Sequence, residues 1–298
     1  MPLTQLSRTA TAEAEPHVAL SAPAPMPAEN ARAGAGASFS LPFSDFYSAM
    51  FARLGPQHWW PSSPSGGPFE IIAGAILTQS TAWVNVERAI ANLRRGRMLT
   101  PRAIEREPLA RLARLVRPSG YFRQKARKLK AFVQFLRREY GGSLARMFRT
   151  PTAALREKLL GVHGIGPETA DSILLYAGGH PIFVVDAYTR RILQRHGLID
   201  EKASYEEIRA LFERNLPRDA QLWNEYHALL VNVGKNWCRP REPRCEECPL
   251  GKFLDSPLDP EQRNSKSEGC GNKFSKCKRR KAKIGLRWSQ RTQEDARR

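Results

Sequence analysis

The sequence predicts an all-α fold, and three observations carry that prediction. Apolar residues recur at helical spacing in one segment after another, helix start and stop residues stand at the segment ends, and alternating stretches are missing. Ser44 to Leu54 carries Phe46, Tyr47, Met50, Phe51 and Leu54 on one helical face. Phe69 to Leu93 begins almost wholly apolar (Ile71, Ile72, Ala73, Ala75, Ile76, Leu77), which predicts a helix buried on most sides. Thr100-Pro101 and Thr150-Pro151 each place a capping residue before a proline suited to a first helical turn. Arg123 to Tyr140 presents Ala126, Leu129, Phe132, Val133 and Leu136 on one face, and Gly141-Gly142 stops it. Ser204-Tyr205-Glu206-Glu207 reads as a capping box. Asp219 to Val233 follows as a helix ended by Gly234. The β-branched run Ile182-Phe183-Val184-Val185 is short and follows Pro181, so it predicts no strand.

Composition bounds the rest. With 298 residues, 41% of them hydrophobic, the chain can build one large or two ordinary domains with a real core. No apolar stretch reaches bilayer-spanning length, and Met1 to Ala10 has no apolar segment behind a basic start. The expectation is an intracellular, cytoplasmic protein that does not enter membranes. The balance of 48 Lys+Arg against 29 Asp+Glu leaves a formal charge of +19, which attracts polyanions, nucleic acid first among them. Of that charge, Arg263 to Arg298 carries +10. This stretch is polar and rich in Gly, Ser and Lys, so 255–298 reads as a basic disordered tail; it could hold a phosphate backbone or simply be solvated. Residues 1–38, rich in Ala, Pro and Thr, read as disordered too. The folded domain is then 39–254.

Three motifs carry chemistry. In Val162-His163-Gly164-Ile165-Gly166-Pro167-Glu168-Thr169-Ala170, a helix ends near Leu160 and another starts at Pro167. The two glycines let bare N–H groups approach a ligand, and with the positive end of the next helix they suit a phosphate. Ile165 is the apolar plug of the turn. The same pattern also suits a plain αα-corner. In Val184-Val185-Asp186-Ala187-Tyr188-Thr189-Arg190-Arg191, Asp186 stands after an apolar run and before an amphipathic helix ending at Gly197. An Asp there is a favoured N-cap. One carboxylate oxygen can cap while the other faces a ligand, orients a water and stabilises positive charge on a sugar. The third motif is Cys238-x6-Cys245-x2-Cys248-Pro249-Leu250, whose thiolates suit zinc or an iron–sulfur cluster in a reducing compartment.

Taken together and in this order, these motifs resemble the endonuclease III family of the helix-hairpin-helix DNA glycosylase superfamily. The resemblance runs from about Phe69 to Leu254 and includes Ile76-Leu77-Thr78-Gln79-Ser80-Thr81 and Gly120-Tyr121-Phe122-Arg123-Gln124-Lys125-Ala126. It implies an all-α, two-lobed fold: a six-helix barrel lobe at about 85–196, and a cluster lobe made of 39–84 plus 197–254. It also implies a [4Fe-4S] cluster on the cysteine loop and, as partner, double-stranded DNA containing a damaged base, bound by a monomer. His163, Gly164, Ile165, Gly166 and Thr169 fall at the DNA-binding hairpin, Gln79 at the residue that fills the gap in the base stack, and Asp186 at the catalytic carboxylate.

Two departures qualify the resemblance. The lysine that attacks the sugar in bifunctional members is replaced by Glu168, which cannot form an imine. The family's fourth cysteine falls on Leu254, so either Cys270 or Cys277 loops back from the tail, or a non-cysteine group or a water completes the site, or no cluster forms. The expected enzyme therefore hydrolyses an N-glycosidic bond in base excision repair and leaves the abasic strand intact. Leu77-Thr78-Gln79-Ser80-Thr81-Ala82-Trp83, with the missing lysine, resembles the 3-methyladenine glycosylase branch. Trp83, with Trp59 and Trp60 nearby, suits a pocket for a cationic alkylated base. Each tryptophan singly also suits core or lobe packing. Two alternatives stand beside this reading: a bifunctional glycosylase/AP lyase using another amine, and a DNA-binding protein without catalysis.

Overall fold

The computed structural model describes residues 42–59 and 67–254. The readings of 1–38 and 255–298, of Trp60, and of Cys270 and Cys277 lie outside them. Twelve α-helices form among the described residues: α1 (Phe43–Leu54), α2 (Pro68–Leu77), α3 (Trp83–Arg95), α4 (Pro101–Arg106), α5 (Leu109–Leu115), α6 (Phe122–Tyr140), α7 (Leu144–Phe148), α8 (Thr152–Leu160), α9 (Pro167–Ser172), α10 (Ala187–Arg195), α11 (Tyr205–Asn215) and α12 (Ala220–Asn236). A π-helical turn, Ile173–Ala177, prolongs α9. No described residue is in a strand, and no described helix is long and apolar enough to cross a membrane.

Local signals account for most boundaries. Thr100 accepts the N–H of Ala103 and starts α4, and Ser204 with Glu207 forms the capping box of α11. Asp219 caps α12 through the N–H groups of Gln221 and Leu222. Gly141, left-handed at φ +62°, stops α6.

Four expectations need correction. The span Phe69 to Leu93 is two helices, α2 and α3, separated by a turn at 78–82 in which Ser80 is left-handed (φ +52°). The apolar run stops at Leu77, and the hydroxyls and amide of Thr78-Gln79-Ser80-Thr81 do not continue a helix buried on all sides. Thr150 caps nothing: its hydroxyl goes to Tyr140 Oη at 3.3 Å, and α8 begins one residue later behind Pro151. Gly234 lies inside α12 and does not end it. A side chain there would meet the Tyr188 ring at 2.4 Å, so that glycine is a close-approach site between α10 and α12. The lobe edges also move. The α2 helix, buried except at Pro68 and Ile71, packs on α3, α6 and α9 in the barrel lobe, while α10 packs on α12 and α12 on α1, so Asp186 starts the second lobe.

That second lobe is centred on aromatics. Phe212 stacks on Phe183 (centroids 3.9 Å apart) and lies 4.6 Å from Phe43. Tyr226 donates from its hydroxyl to the Phe43 carbonyl at 2.9 Å, which fastens α1 to α12. The run Ile182–Val185 is extended and buried without a sheet. Its backbone is satisfied by side chains: the Phe183 N–H donates to Glu213 Oε1 (3.0 Å) and the Val185 N–H to Tyr205 Oη (3.4 Å). The core thus grips the chain up to the residue before Asp186.

Candidate active site

The hairpin is formed as the spacing predicts. Gly164 is left-handed (φ +81°), Ile165 is buried, and Pro167 opens α9 behind Gly166. His163 is exposed on the turn. A side chain at Gly164 would run into Lys128 at 2.5 Å, whereas Gly166 has open space around it. The amides of this turn therefore stay accessible beside the N-terminus of α9, an arrangement that attracts an anion.

Gln79 and Thr169, assigned separately from the sequence, are bonded to each other. Gln79 Nε2 donates to Thr169 Oγ1 at 2.9 Å and to the Gly164 carbonyl at 3.1 Å, and Lys128 Nζ donates to Gln79 Oε1. Thr169 is buried, so it holds Gln79 instead of presenting itself at the surface. Lys125, also buried, donates to the carbonyls of Leu77 (2.9 Å) and Ser119 (2.5 Å) and so braces the end of α2 just before Gln79. Burial, and then the charge of Lys128, bring its ammonium down to about 8. Sequence reasoning gave Lys125 and Lys128 no role. The one signal available was the basic run Arg123-Gln124-Lys125-Ala126-Arg127-Lys128 on α6, which does not say what it faces.

Asp186 does both things open to it. Oδ1 accepts the Thr189 N–H at 2.7 Å and caps α10, while Oδ2 lies 3.7 Å from His227 Nε2. His227 in turn pairs through Nδ1 with the Tyr176 hydroxyl at 2.6 Å. Both partners are buried, and the π-helical turn carries Tyr176 toward Asp186. Burial holds His227 below its ordinary value against the pull of Asp186, so the imidazole is neutral at neutral pH. Tyr176 and His227 went unnoticed in the sequence. Their only trace is a polar ring at the edge of an apolar helical run, Ile173–Leu175 and Ala228–Val231.

These groups line a cleft between the lobes with about 1150 Å³ of open space, mouth included, which admits a nucleoside. Trp59, Trp83, Tyr176 and Tyr188 line its walls, with Glu168, Asp186, His227 and Lys235. The Trp59 and Trp83 rings are 6.4 Å apart, and Lys235 Nζ lies 5.8 Å over Trp59. Glu168 is open to water at the mouth, but the walls crowd its other side. Desolvation, and then the charge of Asp186, push its carboxyl up to about 7. Glu168 and Asp186 thus line the same cleft.

The cysteine loop closes on the far end of α10. Cys238, Cys245 and Cys248 line one small cavity together with His196 and Leu254. Arg195 Nη1 donates to Cys238 Sγ at 3.3 Å, and Arg191 Nε to the Cys238 carbonyl at 2.7 Å. Among the described residues, no three acidic, cysteine or histidine donors converge as they would on a single ion. With Zn–S bonds of about 2.3 Å, zinc would draw three thiolates to within roughly 4 Å of one another. An iron–sulfur cube spreads its thiolates round a larger body. Three soft donors around one cavity are the donor chemistry that an iron–sulfur cluster takes.

Residues 73–218 match the HhH-GPD superfamily of base excision DNA repair proteins. A protein of Methanocaldococcus jannaschii named as a DNA repair glycosylase is 44% identical over 209 residues, spanning 70% of this chain and 93% of that one. Endonuclease III of Thermotoga maritima is 31% identical over 201 residues, 67% of this chain and 87% of that one. Among solved structures, H. pylori 3-methyladenine DNA glycosylase bound to 1,N6-ethenoadenine superposes with a TM-score of 0.55 at 29% identity, covering 65% of this chain and 95% of that one. With the hairpin, the interlobe cleft and the capping aspartate all in place, the chain belongs to the HhH-GPD superfamily of base excision DNA repair proteins and is a DNA glycosylase.

Proposed function

We propose that the protein is a monofunctional glycosylase that removes a damaged base, of the alkylated class, flipped from duplex DNA into the interlobe cleft. The observation that carries this is the pairing of Asp186 with Glu168 at one cleft wall, with no lysine at the position after the hairpin. A base inside a duplex is out of reach and must leave the stack. Amides of Gly164 and Gly166, with His163 beside them, would grip a phosphate and set the register. Gln79 would leave Thr169 and Lys128 to fill the vacated stack. Asp186 Oδ2 would stabilise the oxocarbenium-like sugar and orient the attacking water, as carboxylates do in glycoside hydrolysis. Tyr176 and His227 would fix that oxygen. Trp59 and Trp83 support a cationic base, since a cation over an indole face gains roughly 0.5–2 kcal/mol. The H. pylori neighbour, solved with 1,N6-ethenoadenine, supports the same substrate class.

We also assign a [4Fe-4S] cluster to Cys238, Cys245 and Cys248; when bound, it would staple the loop to α10, which Asp186 begins. Double-stranded DNA is the partner, and the protein would act on it as a monomer. The experiment is a base-release screen of full-length protein on duplexes carrying single alkylated or deaminated bases, with and without alkali. Free base with breaks only after alkali is expected; no release from any alkylated duplex would sink the reading.

One observation favours a second reading. Lys235 brings an amine into the cleft. An imine formed by it with the abasic sugar would give a glycosylase/AP lyase. Its ammonium group stands over the Trp59 ring. Borohydride trapping decides: an adduct lost in Lys235→Met would establish the bifunctional alternative.

A further inference from the structure

We propose that His196 is the fourth protein ligand of the cluster, binding through Nδ1. The inference rests on the cluster reading above and assigns its incomplete coordination. Three cysteines line the cavity, and the place of a fourth is taken by Leu254, which has no donor atom and lines the same cavity. The remaining described side chain there with an uncharged lone-pair nitrogen is His196.

Its setting is that of a ligand. His196 is the C-cap of α10, directly after the Arg195 that bonds Cys238 Sγ, so the residue next to the cysteine clamp is the one that faces the gap. The imidazole is held on its other side by the Phe46 ring, which meets it edge-on at 5.0 Å. Its Nδ1 is buried without a hydrogen-bond partner. A buried ring nitrogen without a partner is destabilising, and a metal beside it removes that cost. A ring nitrogen kept as a lone pair is the one through which a histidine binds a metal. Histidine is also an established substitute for cysteine on iron–sulfur centres, where it raises the reduction potential.

The test uses the full chain, purified anaerobically with its iron, and pulsed EPR of the cluster in its paramagnetic state after labelling histidine with ¹⁵N. The expected result is a directly bound imidazole nitrogen in the wild type. It should be absent from His196→Cys, which restores a four-cysteine set and keeps its iron. His196→Ala should retain less than half the wild-type iron, and Cys270→Ser/Cys277→Ser should retain all of it. Iron-loaded wild type without nitrogen coupling overturns the assignment and leaves the cluster reading intact. Loss of iron from the tail double variant would also overturn it, in favour of a tail cysteine. Wild type that binds no iron overturns both.

Discussion

His227 Nε2 stands 3.7 Å from Asp186 Oδ2 while its Nδ1 is engaged by the Tyr176 hydroxyl. One carboxylate oxygen is thus fixed by the helix it caps, and the other stands beside a buried, neutral ring. Asp186→Asn should lower base release by about 10²–10⁴-fold, the usual range for removing such a group, with duplex affinity unchanged. His227→Phe should lower kcat by about tenfold at unchanged KM, and His227→Gln, which keeps a polar donor, should recover most of it. Single-turnover rates with binding measured in parallel check both. A His227→Phe effect confined to thermal stability would dismiss the positioning role.

Glu168 changes charge near neutrality at the cleft wall, since its carboxyl titrates at about 7. Ionised Glu168 attracts a cationic base and protonated Glu168 does not. For a cationic alkylated purine, KM should therefore fall as pH rises through about 7, and Glu168→Gln should remove that dependence. The folding linkage has the opposite consequence. A carboxyl raised from 4.5 costs the native state stability as pH rises through its folded value, so Glu168→Gln should raise the melting temperature at pH 8 and leave it unchanged at pH 4.

The two hairpin glycines should respond differently. Gly164→Ala places a side chain at φ +81° and against Lys128, so it should cost about 1–2 kcal/mol of stability and loosen Gln79. Gly166→Ala meets open space at an ordinary φ and should fold normally. Any loss of DNA affinity in that variant reports the approach of a phosphate to the backbone. Denaturant midpoints and duplex titrations at two salt concentrations separate these effects.

Replacing Gln79 tests the stack-filling role. Gln79→Ala removes its bonds to Thr169, Gly164 and Lys128, yet should melt within a few degrees of wild type because the site is only half-buried. Its base release should fall about tenfold or more on a paired lesion and recover on a lesion opposite an abasic gap, where little stacking needs replacement.

Acid should weaken the fold through two buried histidines. Desolvation lowers His180 and His227 below their ordinary 6.5, so the unfolded chain takes up protons that the native chain refuses. Their contribution is present above about pH 6.5 and is lost as pH falls below it. Urea midpoints at pH 7.5 and 5.5 should differ, and His227→Phe should reduce the difference.

The sequence by itself determined the elements and the chemistry available to them. Helical periodicity, the capping box at Ser204, the Pro167 start and the Asp186 cap are decided by residues within a turn or two of each other, and all appear as read. So does the replacement of lysine by Glu168, which is a matter of residue identity. Tertiary structure decided whatever depends on distant segments meeting. Gly234 reads locally as a stop, yet it sits within a helix because Tyr188, 46 residues earlier, presses against it. Lys128, within α6, and Gln79, just after α2, close over the hairpin, and His227 reaches Asp186 across 41 residues. His196 joins the cysteine cavity in the same way. A side chain's neighbours along the chain set its backbone conformation, but its solvation, its partners and its proton affinity come from whatever the packed core brings to face it.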